Sequence, residues 1–208
     1  MTLEIWFEFA SPYSYLTVSR AEALLRRAGV AFVWRPFLLG PIFREKGWGT
    51  SPFVLDPVKG AYMWRDMERR TVRLGVHFTR PAEFPMNGLN AARVMTAALD
   101  QGWCGDFARA VFAAQFANGA DISDDEVLAM ALDTCQVDPS FWLAQARRDD
   151  VKAQLRAMTA EAQAKGIFGA PSFVVGEGLF WGDDRLEDAA EWAYANVARR
   201  HDLAEEGI

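Results

Sequence analysis

The sequence predicts an α/β fold in which a strand–helix–strand unit and a strand–strand–helix unit flank a long run of helices. Three observations carry that expectation. Residues 3–9 alternate, with Leu3, Ile5, Phe7 and Phe9 on one side and Glu4, Trp6 and Glu8 on the other, which is the period of a strand. Residues 58–165 read as one helical segment after another. Residues 169–181 then form two short apolar runs joined by Gly-Glu-Gly, the pattern of a hairpin.

Each element follows from local chemistry. After the first strand, Ser11 fits an N-cap and Pro12 the first helical position. Tyr15, Val18, Ala21, Leu25 and Ala28 make an apolar stripe at helical spacing, and Gly29 is a stop. Residues 30–37, "VAFVWRPF", are β-branched and aromatic and predict a second strand, parallel to the first because a helix lies between them. Gly40, Pro41, Gly47, Gly49, Pro52 and Pro57 predict a long irregular loop over 40–56. Helices are expected from Asn87 to near Gly102, over "DFARAVFAAQFANG", after the capping box "SDDE" at 123–126, after Asp138-Pro139, and over 149–166. "GDDRLEDAAEWAYANVARR" closes the chain as a helix. The expected division is a mixed domain of 1–57 and 166–208 around a helical insertion of 58–165.

Composition narrows the function. At 51% hydrophobic and 24% charged, the chain can bury a full core. Its net charge of −6 gives no basic surface for nucleic acid. There is no apolar run long enough to span a membrane and no basic signal region before the first strand, so a cytoplasmic location is expected. Cys104 and Cys135 are far apart, form no C-x-x-C, and sit in helical patterns as small apolar residues. His77 and His201 have no neighbours at metal-ligand spacing, so no metal site is expected.

The segments "FASPYSYL" (9–16), "WRPFLLGPIF" (34–43), "KGAYMWRDMER" (59–69), "FPMNGLNAARV" (84–94), "GIFGAPSFVV" (166–175) and "FWGDDRLED" (180–188) stand in a recognisable order. With them the chain resembles the 2-hydroxychromene-2-carboxylate isomerases and the kappa-class glutathione transferases, relatives of the periplasmic disulfide oxidoreductases. The resemblance implies a thioredoxin-like β-α-β…β-β-α domain carrying a large all-helical insertion. It also implies glutathione as cofactor, a small aromatic substrate and a homodimer.

The resemblance also assigns residues. Ser11 lies where the disulfide oxidoreductases carry the first cysteine of C-x-x-C, and Ser14 where they carry the second. Without sulfur the site cannot exchange disulfides. A hydroxyl and helix N–H groups aimed at a bound thiol can still favour its anion. The other reading of Ser11 is a plain helix cap. Pro171 is implied to follow a cis bond, leaving Ala170 as an edge to which an extended peptide can pair. Asp183 and Asp184 are implied at the γ-glutamyl end of glutathione, although the same pair also suits a helix start. Lys59 is implied near the tripeptide carboxylates. Asn87 matches a family asparagine and is equally good as a cap. The loop asparagine of some members is missing from "GWGTSPF" (47–53), where Thr50 or Ser51 could substitute. Tyr13, Trp48, Tyr62 and Trp64 are candidates for an aromatic pocket.

Three functions follow as expectations. The first is glutathione-dependent cis–trans isomerisation, linking 2-hydroxychromene-2-carboxylate or a related aromatic-ring catabolite to trans-o-hydroxybenzylidenepyruvate. The second is kappa-like conjugation of electrophiles. The third is a non-catalytic module that binds glutathione or a peptide.

Overall fold

A computed structural model describes the backbone of residues 1–205 and the side chains through residue 196. Four strands make one sheet: β1 (Leu3–Phe7), β2 (Phe32–Pro36), β3 (Ser172–Val175) and β4 (Gly178–Trp181). Their order is β2-β1-β3-β4. β1 runs parallel to β2, with Ile5 opposite Trp34, and antiparallel to β3, with Ile5 opposite Phe173. β3 and β4 form the expected hairpin, turning at Gly176 with φ +61°.

The central strand is buried on both faces. Leu3, Ile5, Phe7 and Phe9 enter the main core, as the alternation requires. Trp6, on the opposite face, is also fully buried, in a second cluster with Phe37, Ile42 and Met158. Glu4 stays at the margin of that face, accepting from the Trp6 indole at 2.9 Å.

α1 (Pro12–Arg27) starts and stops where the sequence says, with Ser11 as N-cap and Gly29 at φ +67°. The region expected as irregular loop contains two short helices, α2 (Leu39–Glu45) and α3 (Pro52–Leu55). The Gly and Pro signals mark the ends of these helices rather than a lack of structure. α4 (Pro57–Leu74) begins on Asp56, whose carboxylate accepts from the Val58 and Lys59 N–H groups, and ends on Gly75 at φ +67°. α5 (Leu89–Ala97) is shorter than the pattern to Gly102 suggests. α6 (Cys104–Phe116), α7 (Asp125–Thr134), α8 (Pro139–Ala146) and α9 (Asp149–Ala164) complete the helical run. The cap of α7 is Asp124, one residue past the expected Ser123. After β4, a single 3₁₀ turn (Asp183–Arg185) leads into α10 (Leu186–Glu205).

One apolar cluster runs from the sheet into the inserted helices. Phe9 stacks on Phe112 at 5.1 Å, and Tyr15 on Phe116 at 5.6 Å. Cys104 is buried and Cys135 half-buried, and both thiols are unpaired. Burial pushes the Cys104 thiol up to about 11. No described helix is long and apolar enough to cross a membrane.

Candidate active site

The site is built where β1 hands over to α1. β1 ends at Phe7, and the Ser11 N–H folds back onto the Glu8 carbonyl at 3.0 Å. That turn puts the Ser11 side chain over the first turn of α1. Its hydroxyl accepts from the Ser14 N–H at 3.2 Å and donates to the Ala170 carbonyl at 2.8 Å. Cap and link to residue 170 are therefore made by the same oxygen. The Ala170–Pro171 bond is cis, as is Phe84–Pro85, for which the sequence carries no comparable signal. The N–H groups of Tyr13 and Ala170 donate to no protein acceptor among the described residues.

A cavity of about 930 Å³ opens beside this pair. That is near the upper end for small-molecule sites. Ser11, Lys59, Ala170, Asp183 and Asp184 all border it. Pro171 does not; it is buried behind Ala170. Asn87 is also absent from the wall. Its side-chain oxygen accepts from the Leu89 N–H at 3.1 Å, just ahead of α5, and the neighbouring Phe84, Pro85 and Met86 line the cavity instead. Of the four expected aromatics, Tyr13, Trp48 and Tyr62 reach the cavity. Trp64 is buried against Phe84 and Phe78. Thr50 and Ser51 both line it. The Ser51 hydroxyl is engaged as the cap of α3, accepting from Phe53, whereas Thr50 has no hydrogen-bond partner among the described side chains.

The two aspartates differ. Asp183 is 1% exposed. Its carboxylate accepts from Thr17 at 3.0 Å and is paired with Arg20 and Arg70. That carboxylate is held inside the protein by Thr17 and the two arginines, although the residue borders the cavity. Asp184 is exposed at the cavity edge, with Arg185 at 3.5 Å. Gly182, at φ +110°, sets this turn, since a side chain there would be strained and would crowd the Asp184 carboxylate.

Glu8 is a site residue that the strand pattern placed on an outward face. It lines the cavity in a desolvated position, and burial raises its carboxyl from 4.5 to about 8, with the Ala10 N–H partly opposing the rise. The signal available was an acid between phenylalanines just before the Ser-Pro pair. Tyr13 donates to Asp66 at 3.0 Å. Burial and the Asp66 charge raise its phenol, so it remains neutral. Lys46, Phe168 and Trp181 also border the cavity and were not singled out in the sequence.

A serine at a helix N-terminus, facing the cis-proline bond that leads into the neighbouring strand, is the layout of a thioredoxin-like domain with serine in place of the redox cysteines. The chain belongs to the DSBA-like thioredoxin domain family, whose model matches residues 2–192. It is 29% identical over 187 residues to a 2-hydroxychromene-2-carboxylate isomerase of Sphingobium xenophagum, covering 89% of this chain and 94% of that one. It is 26% identical over 207 residues to glutathione S-transferase kappa 2 of Caenorhabditis elegans, covering 91% and 90%. Among solved structures, a 2-hydroxychromene-2-carboxylate isomerase superposes with a TM-score of 0.84 at 23% identity, covering 98% of this chain and 99% of that one. That superposition establishes the shared fold.

Proposed function

We propose that the protein is a glutathione-dependent isomerase interconverting 2-hydroxychromene-2-carboxylate, or a related aromatic-ring catabolite, and trans-o-hydroxybenzylidenepyruvate. The observation that carries this reading is the 2.8 Å bond from the Ser11 hydroxyl to the Ala170 carbonyl at the mouth of the cavity. Each of these groups suits one atom of a cysteine-containing tripeptide. The surroundings fit the rest of glutathione: the unpaired Ala170 N–H for peptide pairing, Lys59 for a carboxylate, Asp184 for an ammonium group, and the Asp183 backbone beside it.

When bound, glutathione supplies a thiolate whose reversible addition to the conjugated system makes the double bond single, so that it can rotate. Ser11 turns its proton from Ala170 to the sulfur, favouring the anion before attack and on departure. The Ser14 N–H holds the Ser11 oxygen throughout. The first turn of α1 adds partial positive charge from the open Tyr13 N–H. A free thiol ionises near pH 8.5, so a drop of roughly two units makes most of it nucleophilic at neutral pH. Ala170 and Asp184 orient the tripeptide, and the apolar walls limit water.

The similarity to a kappa-class transferase favours a second reading, conjugation of electrophiles at the same site. Purified protein mixed with the chromene and glutathione separates them. Isomerisation changes the substrate spectrum with the glutathione concentration constant, whereas conjugation consumes one glutathione per turnover. Tight glutathione binding with neither reaction, and with an unshifted thiol, would leave only a binding module. Ser11→Ala is expected to lower kcat/KM about 100-fold. The same reading makes the protein a cytoplasmic homodimer, and light scattering tests the dimer.

A further inference from the structure

One ionisable group in the cavity has no part in placing the tripeptide. Glu8 is the first residue after β1 and belongs to the turn that carries Ser11. Its carbonyl accepts from the Ser11 N–H at 3.0 Å, and its own N–H reaches the Ser14 hydroxyl at 3.5 Å. Those bonds fix the backbone of Glu8 against the start of α1, and its side chain borders the same cavity as Ser11. Among the described residues the carboxyl is met by a single donor, the Ala10 N–H, and no cation pairs with it.

The other charged groups around the cavity are engaged elsewhere. On α4, Arg70 is paired with Asp183, and Asp66 accepts from Tyr13 of α1. After β4, Arg185 is paired with Asp184 and Asp188. Lys46, at the end of α2, rests over the rings of Trp48 and Phe168, its Nζ 5.4 and 5.6 Å from their centroids. Lys59 is assigned to the tripeptide, and Tyr62, also on α4, completes the titratable groups of the wall. Phe168 meets Trp181 with centroids 4.8 Å apart, which adds apolar surface. A carboxyl desolvated in such a place and given no cation is more stable neutral than ionised, and burial raises Glu8 to about 8. At neutral pH the cavity therefore holds a carboxylic O–H close to Ser11.

We propose that Glu8 is a catalytic hydrogen-bond donor, whose carboxyl O–H holds the substrate oxygen on which negative charge develops during isomerisation. When a sulfur–carbon bond forms at the far end of the conjugated system, the carbon–carbon π pair shifts toward the carbonyl and its oxygen becomes an enolate. The Glu8 O–H donates to that oxygen and retains its proton. After rotation about the new single bond, the enolate electrons re-form the double bond and the sulfur–carbon bond breaks, so no atom or electron is gained or lost. A neutral donor gains more from the enolate than from the carbonyl that precedes it, so it lowers the barrier instead of only tightening binding. An ionised Glu8 would repel the same oxygen. The assignment rests on the isomerase reading for the identity of that oxygen.

The test compares wild type, Glu8→Gln and Glu8→Ala, each checked for folding by circular dichroism, in two readouts. The first is chromene isomerisation at saturating glutathione from pH 6 to pH 9. The second needs neither glutathione nor turnover: 4-nitrophenol is bound to the protein at pH 6, and its phenolate absorbance reports whether the site favours an aryl oxyanion. Wild-type kcat should fall as pH rises above about 8. Glu8→Gln keeps a neutral donor at every pH, so it should stay within about tenfold of wild type at pH 7 and lose that fall. Glu8→Ala should lower kcat about 100-fold, with glutathione affinity unchanged in both variants. Bound nitrophenol should be more ionised than free nitrophenol in wild type and Glu8→Gln, and no more ionised in Glu8→Ala. A Glu8→Ala kcat equal to that of wild type overturns the proposal, and so does a loss of glutathione affinity in Glu8→Gln, which would assign Glu8 to the tripeptide. If the chromene is left unchanged while the Glu8-dependent ionisation of nitrophenol persists, the donor stands and the isomerase reading falls.

Discussion

Ser11 and Glu8 are three residues apart, and their environments set opposite tasks. Ser11 offers a proton that can be redirected; Glu8 keeps one. A carboxyl that ionises near 8 in the folded protein but near 4.5 when exposed binds an extra proton in the folded state between those values. Its contribution to stability is therefore full below about pH 4.5 and is lost as pH rises through about 8. Glu8→Gln should flatten that decline and make the protein more stable than wild type at pH 8, by roughly 2 kcal/mol once partial solvation is allowed for. Chemical denaturation at pH 5 and pH 8 measures this. A parallel decline in both proteins would show that Glu8 ionises normally. The proposed function gives a reason for the cost: an ionised Glu8 would set a second negative charge beside the thiolate that this reading places in the cavity. For Ser11, the thiolate absorbance of bound glutathione should fall in Ser11→Ala at pH 7, while a mere helix cap would cost only about 1 kcal/mol of stability and leave the absorbance unchanged.

Short elements carry the cavity, and they were the least legible. The main strands and α1 follow from apolar period and capping residues, which act over a few neighbours. α2 and α3 do not, because a helix of a few residues has too little period to read and gains its stability from what it packs on. Gly60 illustrates this. A side chain at this buried position of α4 would run into the Phe53 carbonyl of α3, so the glycine is what lets α3 sit against α4. Gly60→Ala should cost about 2 kcal/mol and push α3 and the Ser51–Phe53 wall outward. Differential melting and glutathione affinity should drop together. Loss of stability with unchanged affinity would mean that the wall relaxes without reaching the ligand. Asn87 illustrates the reverse case. Its motif pointed equally to ligand and cap; α5 takes Gly88 as its N-cap, and the Asn87 side chain accepts from the Leu89 N–H outside the cavity wall.

For the molecule as a whole, one buried carboxylate ties three distant segments together. Asp183, from the turn after β4, takes Thr17 and Arg20 of α1 and Arg70 of α4. Those contacts tie α4 to α1 and to the turn after β4 beside the cavity. Asp183→Asn leaves two guanidinium groups poorly compensated and should cost about 3 kcal/mol, lowering the melting temperature by roughly 10 °C. A shift of only a degree or two would mean that the arginines find other partners. Sequence order sufficed for the fold class, the β-α-β and β-β-α units, the Ser11 cap and the segments that mark the family, because period, capping and motif spacing are local properties of the chain. Which aspartate is buried and which is open, that Glu8 keeps its proton, and that Lys46, Phe168 and Trp181 meet beside Ser11 were decided only in three dimensions. Burial, charge pairing and ring contact depend on residues scores of positions apart, and no local pattern records which of them the folded chain will bring together.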